Sequence, residues 1–452
     1  MNDPNGFSYF NGEYHLFYQH HPYSPKWGPM HWGHVKSKDL VNWEHLPIAL
    51  APSEDYDVDG CFSGSAFEKD GKMYLMYTGN KWTGPNGDTD LLQVQCLAVS
   101  EDGIHFDKLP DNPVIAKTPE GDIHPFHFRD PKVWKKDQYY YCVLGSRTND
   151  EEGQILLYRS ENLIDWEFVS VAAKGENNFS FMWECPDIFE IDGHDVLVMS
   201  PQGVKPVGDM YQNLHQAGYV VGNLDYQTGK LEHGEFEMLD YGFDFYAPQT
   251  TTDDQGRRIM MAWMAMWESE MPEQEFGWAG AMTIPRQLFL EEGKLISRPI
   301  PEMTLLRERE VSHQNVELNG HLELPEVNGT QLELELTFDL KAASTVGLNL
   351  LTSEDQQEKT VLQYDRAASV FSFDREQSGA GPKGIRKAPV KDQEQLHLRI
   401  FVDHSSIEVF VNDGEKVLTG RVYPKASSKG ISFFSDQPCQ LSVTKWEMKK
   451  SI

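Results

Sequence analysis

Met1-Asn2-Asp3-Pro4-Asn5-Gly6-Phe7-Ser8-Tyr9-Phe10 opens the chain, and Asn11-Gly12 then leads into Tyr14-His15-Leu16-Phe17-Tyr18. Asn-Gly between two apolar runs is a strong signal for a tight hairpin, because its turn needs positive φ at both central residues. The stretch therefore reads as two antiparallel strands with a carboxylate, Asp3, just ahead of the first. Alone, it would be an ordinary hairpin. The pattern recurs, however. Asp70-Gly71, Lys136-Asp137, Asp192-Gly193 and Gln255-Gly256 each precede a short apolar or aromatic run, at 73–77, 139–144, 196–199 and 259–263. Three units carry a second mark, in Ser37-Lys38-Asp39-Leu40-Val41-Asn42-Trp43, Ser100-Glu101-Asp102-Gly103-Ile104-His105-Phe106 and Ser160-Glu161-Asn162-Leu163-Ile164-Asp165-Trp166.

A spacing of roughly 60 residues is close to that of repeated four-stranded blades. The expectation is an all-β chain with a five-bladed β-propeller over 1–294; the competing reading is an irregular β-sandwich. Residues 295–312 read as an extended linker with room for one short helix. Beyond it the pattern changes to period-two alternation, in Leu332-Glu333-Leu334-Glu335-Leu336, Leu396-His397-Leu398-Arg399-Ile400 and Ser406-Ile407-Glu408-Val409-Phe410. That predicts a two-sheet β-sandwich over 313–452.

The repeat brings distant residues together. Stepping back from each turn by roughly seven to ten residues reaches the start of each innermost strand, at Asp3, Ser63, Asp130, Glu184 and Tyr246. Equivalent starts ring one mouth of a propeller channel, so Asp3, Asp130 and Glu184 should converge there. Three carboxylates at one mouth repel each other and raise a pKa, which a structural role would avoid. The funnel above them should be walled by the exit loops 19–33, 79–93, 145–153, 200–217 and 264–281, which carry Gln19, Trp27, Trp82 and Trp278. Phe62 and Trp278 flank the expected channel and are the aromatics most expected to face a ligand.

Composition narrows the function. Forty Lys and Arg against 70 Asp and Glu give a net charge of −30, which argues against nucleic acid or an anionic membrane as partner. Five cysteines, odd in number and scattered, do not suggest a disulfide framework. No apolar run approaches a membrane span and no secretory leader precedes Asp3, so a cytoplasmic location is expected. His31/His34 and His124/His127 have the two-residue gap of some zinc pairs, but strand alternation would turn paired residues to opposite faces. Neither a metal nor another cofactor is expected.

Family likeness then adds roles. Met1-Asn2-Asp3-Pro4-Asn5-Gly6, Phe62-Ser63-Gly64-Ser65, Arg129-Asp130-Pro131 and Glu184-Cys185-Pro186 resemble, in order, motifs of the invertase and fructan-hydrolase family of glycosidases. Gln19-His20-His21-Pro22, Trp27-Gly28 and Gly277-Trp278-Ala279-Gly280 match as well, so the resemblance covers nearly the whole chain. Gly242-Phe243-Asp244-Phe245-Tyr246-Ala247-Pro248-Gln249 and Pro201-Gln202-Gly203 look most like the bacterial sucrose-6-phosphate hydrolases within it.

The resemblance implies a retaining β-fructofuranosidase acting on sucrose 6-phosphate, sucrose or short fructo-oligosaccharides. Asp3 would be the nucleophile, Glu184 the acid/base, and Asp130 the residue holding sugar hydroxyls. Asn2, Gln19, Trp27, Phe62, Ser63, Arg129, Tyr246 and Trp278 would bind substrate. Cys185 would pack beside Glu184 and help keep it protonated. For a phosphate, the loops offer Lys26, Lys81, Arg147 and Lys205, with Lys205 favoured because its loop follows the strand of Glu184. A fructan hydrolase or fructosyltransferase is the rival within this class, and a non-catalytic sugar-binding propeller the rival outside it. A homo-oligomer, with the C-terminal domain at its interface, remains open.

Overall fold

The structure, a computed structural model, describes residues 1–177 and 179–451. Five four-stranded antiparallel sheets follow one another along the chain. Blade I comprises Pro4–Phe10, Glu13–His20, His31–Ser37 and Trp43–Leu50. Blade II comprises Cys61–Lys69, Lys72–Trp82, Leu91–Ser100 and Asp107–Lys108. Blade III comprises Phe128–Lys136, Tyr139–Arg147, Gly153–Ser160 and Glu167–Lys174. Blade IV comprises Met182–Ile191, His194–Gln202, Gly218–Asp225 and Lys230–His233, with Glu237–Met238 as a further short pairing. Blade V comprises Tyr246–Thr252, Arg258–Trp263, Arg286–Glu291 and Lys294–Pro299.

Burial follows from blade stacking. His31–Ser37, third in blade I, is buried at almost every position because neighbouring blades cover both its faces, whereas the outermost Trp43–Leu50 is mostly open to solvent. The marks after the third strands are side-chain-capped turns. Asp39 Oδ1 accepts from the N–H of Val41 and Asn42, Asp102 Oδ1 from Ile104 and His105, and Asn162 Oδ1 from Ile164 and Asp165.

Each blade is built from consecutive strands, so side chains close the ring. Phe7 N–H donates to Gln249 Oε1 at 3.4 Å, and Gln249 Nε2 donates to Gly64 O at 2.8 Å, tying blades V, I and II. Lys132 Nζ donates to Asp187 Oδ2 at 2.9 Å and to Thr250 O at 2.8 Å, tying blades III, IV and V. A buried cation is tolerable there because it is paired and a backbone carbonyl takes a second of its three donors.

The segment expected as a linker carries regular structure. It holds the outermost strand of blade V, Lys294–Pro299, the 3₁₀ turn Pro301–Leu306, and the start of Arg307–Leu322. Leu295 and Ile296 are buried, which an extended connector would not require.

The C-terminal part is sandwich-like, but its ten strands form one hydrogen-bonded sheet rather than two. Gly430–Met448 causes this. Its first half pairs with Thr345–Thr352 and its second half with Leu332–Asp339, so one long strand belongs to both layers. Between the layers lies an apolar core that includes Leu334, Leu348, Phe371, Ile400 and Phe433.

The two parts meet over a buried polar seam. Arg286, fully buried, bonds Asp240 Oδ2 at 3.1 Å and Glu408 Oε2 at 2.6 Å. Tyr241 N–H donates to Val417 O and Phe243 N–H to Thr419 O, so the approach to blade V borders Lys416–Arg421 like an extra strand. A Cβ at Gly242 would lie 2.1 Å from Thr419 O, and only glycine fits. Among the described residues, no helix is long and apolar enough to cross a membrane.

Candidate active site

Every innermost strand is interrupted where it reaches the channel mouth. The pairing register shifts between Asn5 and Ser8, Phe62 and Gly64, Glu184 and Asp187, and Tyr246 and Gln249 on the innermost strands, and opposite Asp130-Pro131 in blade III. These are β-bulges, which bend a strand and re-aim its side chains. At four of them a residue has left-handed backbone: Gly6 (φ 52°), Asp130 (64°), Cys185 (47°) and Ala247 (50°). Such a conformation costs a non-glycine residue roughly 1–3 kcal/mol and persists only where the surroundings impose it.

The bulges correct the equivalences read from sequence. Asp130, Cys185 and Ala247 share one position, each followed by proline, whereas Arg129, Glu184 and Tyr246 share the position before it. Asp3 lies ahead of the strand altogether. Convergence nevertheless holds, because a bulge sends adjacent residues toward the same mouth.

A cavity of about 250 Å³ opens there, lined by Asn2, Asp3, Gln19, Trp27, Phe62, Ser63, Arg129, Asp130 and Glu184 from the expected set. Ser63 Oγ donates to Asp3 Oδ2 at 2.8 Å and Asn2 Nδ2 to Asp3 Oδ1 at 3.2 Å. Asp3 is held at its backbone too, since Gln19 N–H donates to Asp3 O at 3.0 Å. Glu184 is held from three sides. Arg129 donates to Oε1 from Nε at 3.0 Å and from Nη2 at 2.6 Å, while Gln202 Nε2 (2.9 Å) and the Tyr246 hydroxyl (2.6 Å) donate to Oε2. Tyr246 is fully buried, so it positions Glu184 from behind.

Cys185 faces differently from the expectation. Its thiol lies 3.6 Å from both Asp3 Oδ2 and Asp130 Oδ2, and its N–H donates to Asp130 Oδ2 at 2.9 Å. The thiol thus turns toward the two aspartates and away from Glu184, because the residue after Glu184 sits on the opposite side of the bulge. Burial pushes the thiol pKa well up, so it stays protonated.

Electrostatics divide the acids. Burial raises Asp3, and the Glu184 charge adds to this against the hydrogen bonds from Ser63, Asn2 and Cys185. Burial pushes Asp130 up to about 7, with Arg129 opposing and Glu184 and Asp3 adding. Burial also acts on Glu184, but the Arg129 guanidinium and the Tyr246 hydroxyl outweigh it and hold Glu184 below the usual range. These shifts favour charge on Glu184 over charge on the aspartates, opposite to the protonated Glu184 that Cys185 was expected to maintain.

Two expected residues lie elsewhere. Trp278 borders a second groove of about 630 Å³, between blades I and V and the C-terminal sheet, where Arg421 sits 5.4 Å from its ring. Lys205 is exposed after blade IV's second strand and does not border the acids' cavity. Lys81 is engaged by Asp55 at 2.6 Å. Conversely, Gln93, His127 and Trp267 line the cavity, and Gln202 binds Glu184, without having been singled out as contacts. Gln202 was within reach of the sequence, since it ends a second blade strand beside the strand of Glu184. Gln93 carries no local signal and His127 only its gap to His124; their exposure to the cavity depends on how blades II and III meet.

Two buried aspartates and the partly buried Glu184 at the mouth of a five-bladed propeller, walled by Trp27 and Phe62 in edge contact at 6.0 Å, define a glycoside hydrolase. Family models match the chain end to end: the glycosyl hydrolases family 32 N-terminal domain over 1–299 and the C-terminal domain over 302–448. The chain belongs to glycosyl hydrolase family 32. It is 44% identical to a sucrose-6-phosphate hydrolase of Zymomonas mobilis over 449 residues, covering 96% of this chain and 86% of the relative. A sucrose-6-phosphate hydrolase structure from Lactobacillus gasseri superposes with TM-score 0.91 at 32% identity, covering 100% of this chain and 91% of that one. A Bombyx mori β-fructofuranosidase in complex with sucrose gives TM-score 0.88 at 36% identity, covering 100% and 92%.

Proposed function

We propose that the chain is a retaining β-fructofuranosidase whose substrate is sucrose 6-phosphate or sucrose. The observation that carries this reading is that Asp3, Asp130 and Glu184 line one cavity, with separate donors fixing Asp3 and Glu184. The relatives named above supply the substrate class.

Asp3 attacks the anomeric carbon of the fructosyl unit while Glu184 protonates the departing glucosyl oxygen. Water, activated by Glu184, then releases fructose from the covalent intermediate with net retention. Asp130 binds sugar hydroxyls beside the developing charge. Arg129 and Tyr246 hold Glu184 low while burial and the Glu184 charge raise Asp3, so the form with Asp3 ionised and Glu184 protonated lies against these shifts, and the two titrate as a coupled pair. Catalysis belongs to the propeller, residues 1–294, and the sheet after it supports that scaffold. Cleavage in the presence of methanol tests the reading. Retention gives methyl β-fructofuranoside, whereas an α-product or no fructose release would overturn it.

A further inference from the structure

Beside the acids, the cavity wall continues into a cluster that the reaction does not use. Arg129 Nη1 donates to His127 Nδ1 at 3.1 Å, which leaves the proton of neutral His127 on Nε2. That N–H lies 2.9 Å from the Asp88 carbonyl oxygen and 3.2 Å from Asp88 Oδ1. The same Oδ1 accepts from Arg147 Nη2 at 2.6 Å, and His124 Nε2 sits 3.3 Å from that nitrogen. Arg147 is 4% exposed, and its Nε is buried with no hydrogen-bond partner among the described residues. Glu151 is the other acid near it, at 3.8 Å. Asp88, by contrast, has a half-exposed side chain on a turn whose Gly87 lines the cavity.

One carboxylate oxygen thus fills a seat made by a buried guanidinium and an imidazole donor. We infer that this seat, formed by Arg147 and His127, takes the phosphate of a phosphorylated sugar, and that Asp88 occupies it in the free protein. The inference rests on the fructosidase reading and deepens it. The leaving glucosyl unit must lie against Glu184, and Arg129 bonds both Glu184 and His127, so the seat is one side chain beyond the acid. A chain of net charge −30 repels a phosphate dianion, and a dedicated cation is what overcomes this locally. Arg147 is well suited because a guanidinium binds phosphate oxygens in pairs. In sequence it was one of four candidate cations; its burial sets it apart from exposed Lys205.

The test compares KM for sucrose 6-phosphate and sucrose in the unmodified enzyme, Arg147→Gln and Asp88→Asn. Arg147→Gln should raise KM for the phosphorylated sugar roughly tenfold to a hundredfold and leave sucrose unchanged. Asp88→Asn, at an exposed position that does not threaten folding, should lower KM for the phosphorylated sugar alone, because the seat is no longer filled by a charge. Parallel effects on both sugars, or none on either, would overturn the seat. Calorimetry with glucose 6-phosphate and glucose separates this from the activity itself. The unmodified chain should bind the phosphorylated sugar more tightly, and Arg147→Gln should erase the difference. Equal binding of the two sugars overturns the seat, whereas failure to cleave either sucrose overturns only the fructosidase reading.

Discussion

Glu184 is the most heavily hydrogen-bonded of the three acids, and its partners set how the site titrates. Asp3→Ala should abolish turnover of every substrate, whereas Glu184→Ala should still form the fructosyl intermediate from a fructoside with a good leaving group, whose departure needs little protonation. A sugar trapped on any carboxylate other than Asp3 would reverse the roles. The Tyr246 hydroxyl stabilises ionised Glu184, so Tyr246→Phe should raise the Glu184 pKa. The acid limb of the kcat/KM profile, which follows the lower-titrating group of the pair, then moves to higher pH; a limb that stays put or moves down would show that this hydrogen bond does not tune the acid. Much of the site was legible in the tripeptides Arg129-Asp130-Pro131 and Glu184-Cys185-Pro186. What could not be read was which member of each faces which neighbour, because a bulge turns adjacent residues by an amount that period-two counting does not contain. That is why Cys185 was expected beside Glu184 and is found on Asp3 and Asp130.

Between the second and third strands of blade I, against the turn at Gly103, lies a buried polar contact that catalysis does not use. His15 Nδ1 sits 3.0 Å from His34 Nε2, and Phe17 stacks on His34 with centroids 4.0 Å apart. Burial lowers His15 to about 4 and His34 to about 3, with Glu13 and Lys36 as the nearby charges. Both folded values lie below the ordinary value, so the unfolded chain takes up protons first. Their contribution to stability is complete above about pH 6.5 and is lost as pH falls toward 4, by up to about 1.4 kcal/mol per unit for each ring. Melting temperature should therefore drop from pH 7 to pH 5, with a shallower slope in His15→Gln; an equal slope would place the acid sensitivity elsewhere. The blade strands were legible from their turns, since Asn11-Gly12, Asp70-Gly71 and Asp192-Gly193 all close first hairpins. The stretch 295–312 was not, because Leu295-Ile296-Ser297 followed by two prolines reads as extended chain whether or not a neighbouring strand pairs with it.

Across the molecule, the two domains depend on each other through Arg286. Its guanidinium neutralises Asp240, at the approach to blade V, and Glu408, in the C-terminal sheet, and none of the three is open to solvent. Arg286→Met leaves two carboxylates buried without their cation, and breaking such a pair costs roughly 3–5 kcal/mol. Chemical denaturation should show both domains losing that stability together; a variant within about 1 kcal/mol of the parent would mean that water already reaches the seam. The alternation that announced the C-terminal strands gave no hint of this seam, since Glu408 reads as an outward-facing charge between Ile407 and Val409. Sequence showed the layers, but not the strand they share. Gly430–Met448 supplies pairing partners to Arg307–Leu322, Leu332–Asp339 and Thr345–Thr352, all of which precede it. On the ribosome, those earlier strands emerge with open edges and must wait for the last long strand before either layer closes. The blades, each complete in itself, can form as they appear; the C-terminal domain cannot, and its exposed edges during that interval are where a slow ribosome or an absent chaperone would first turn folding into aggregation.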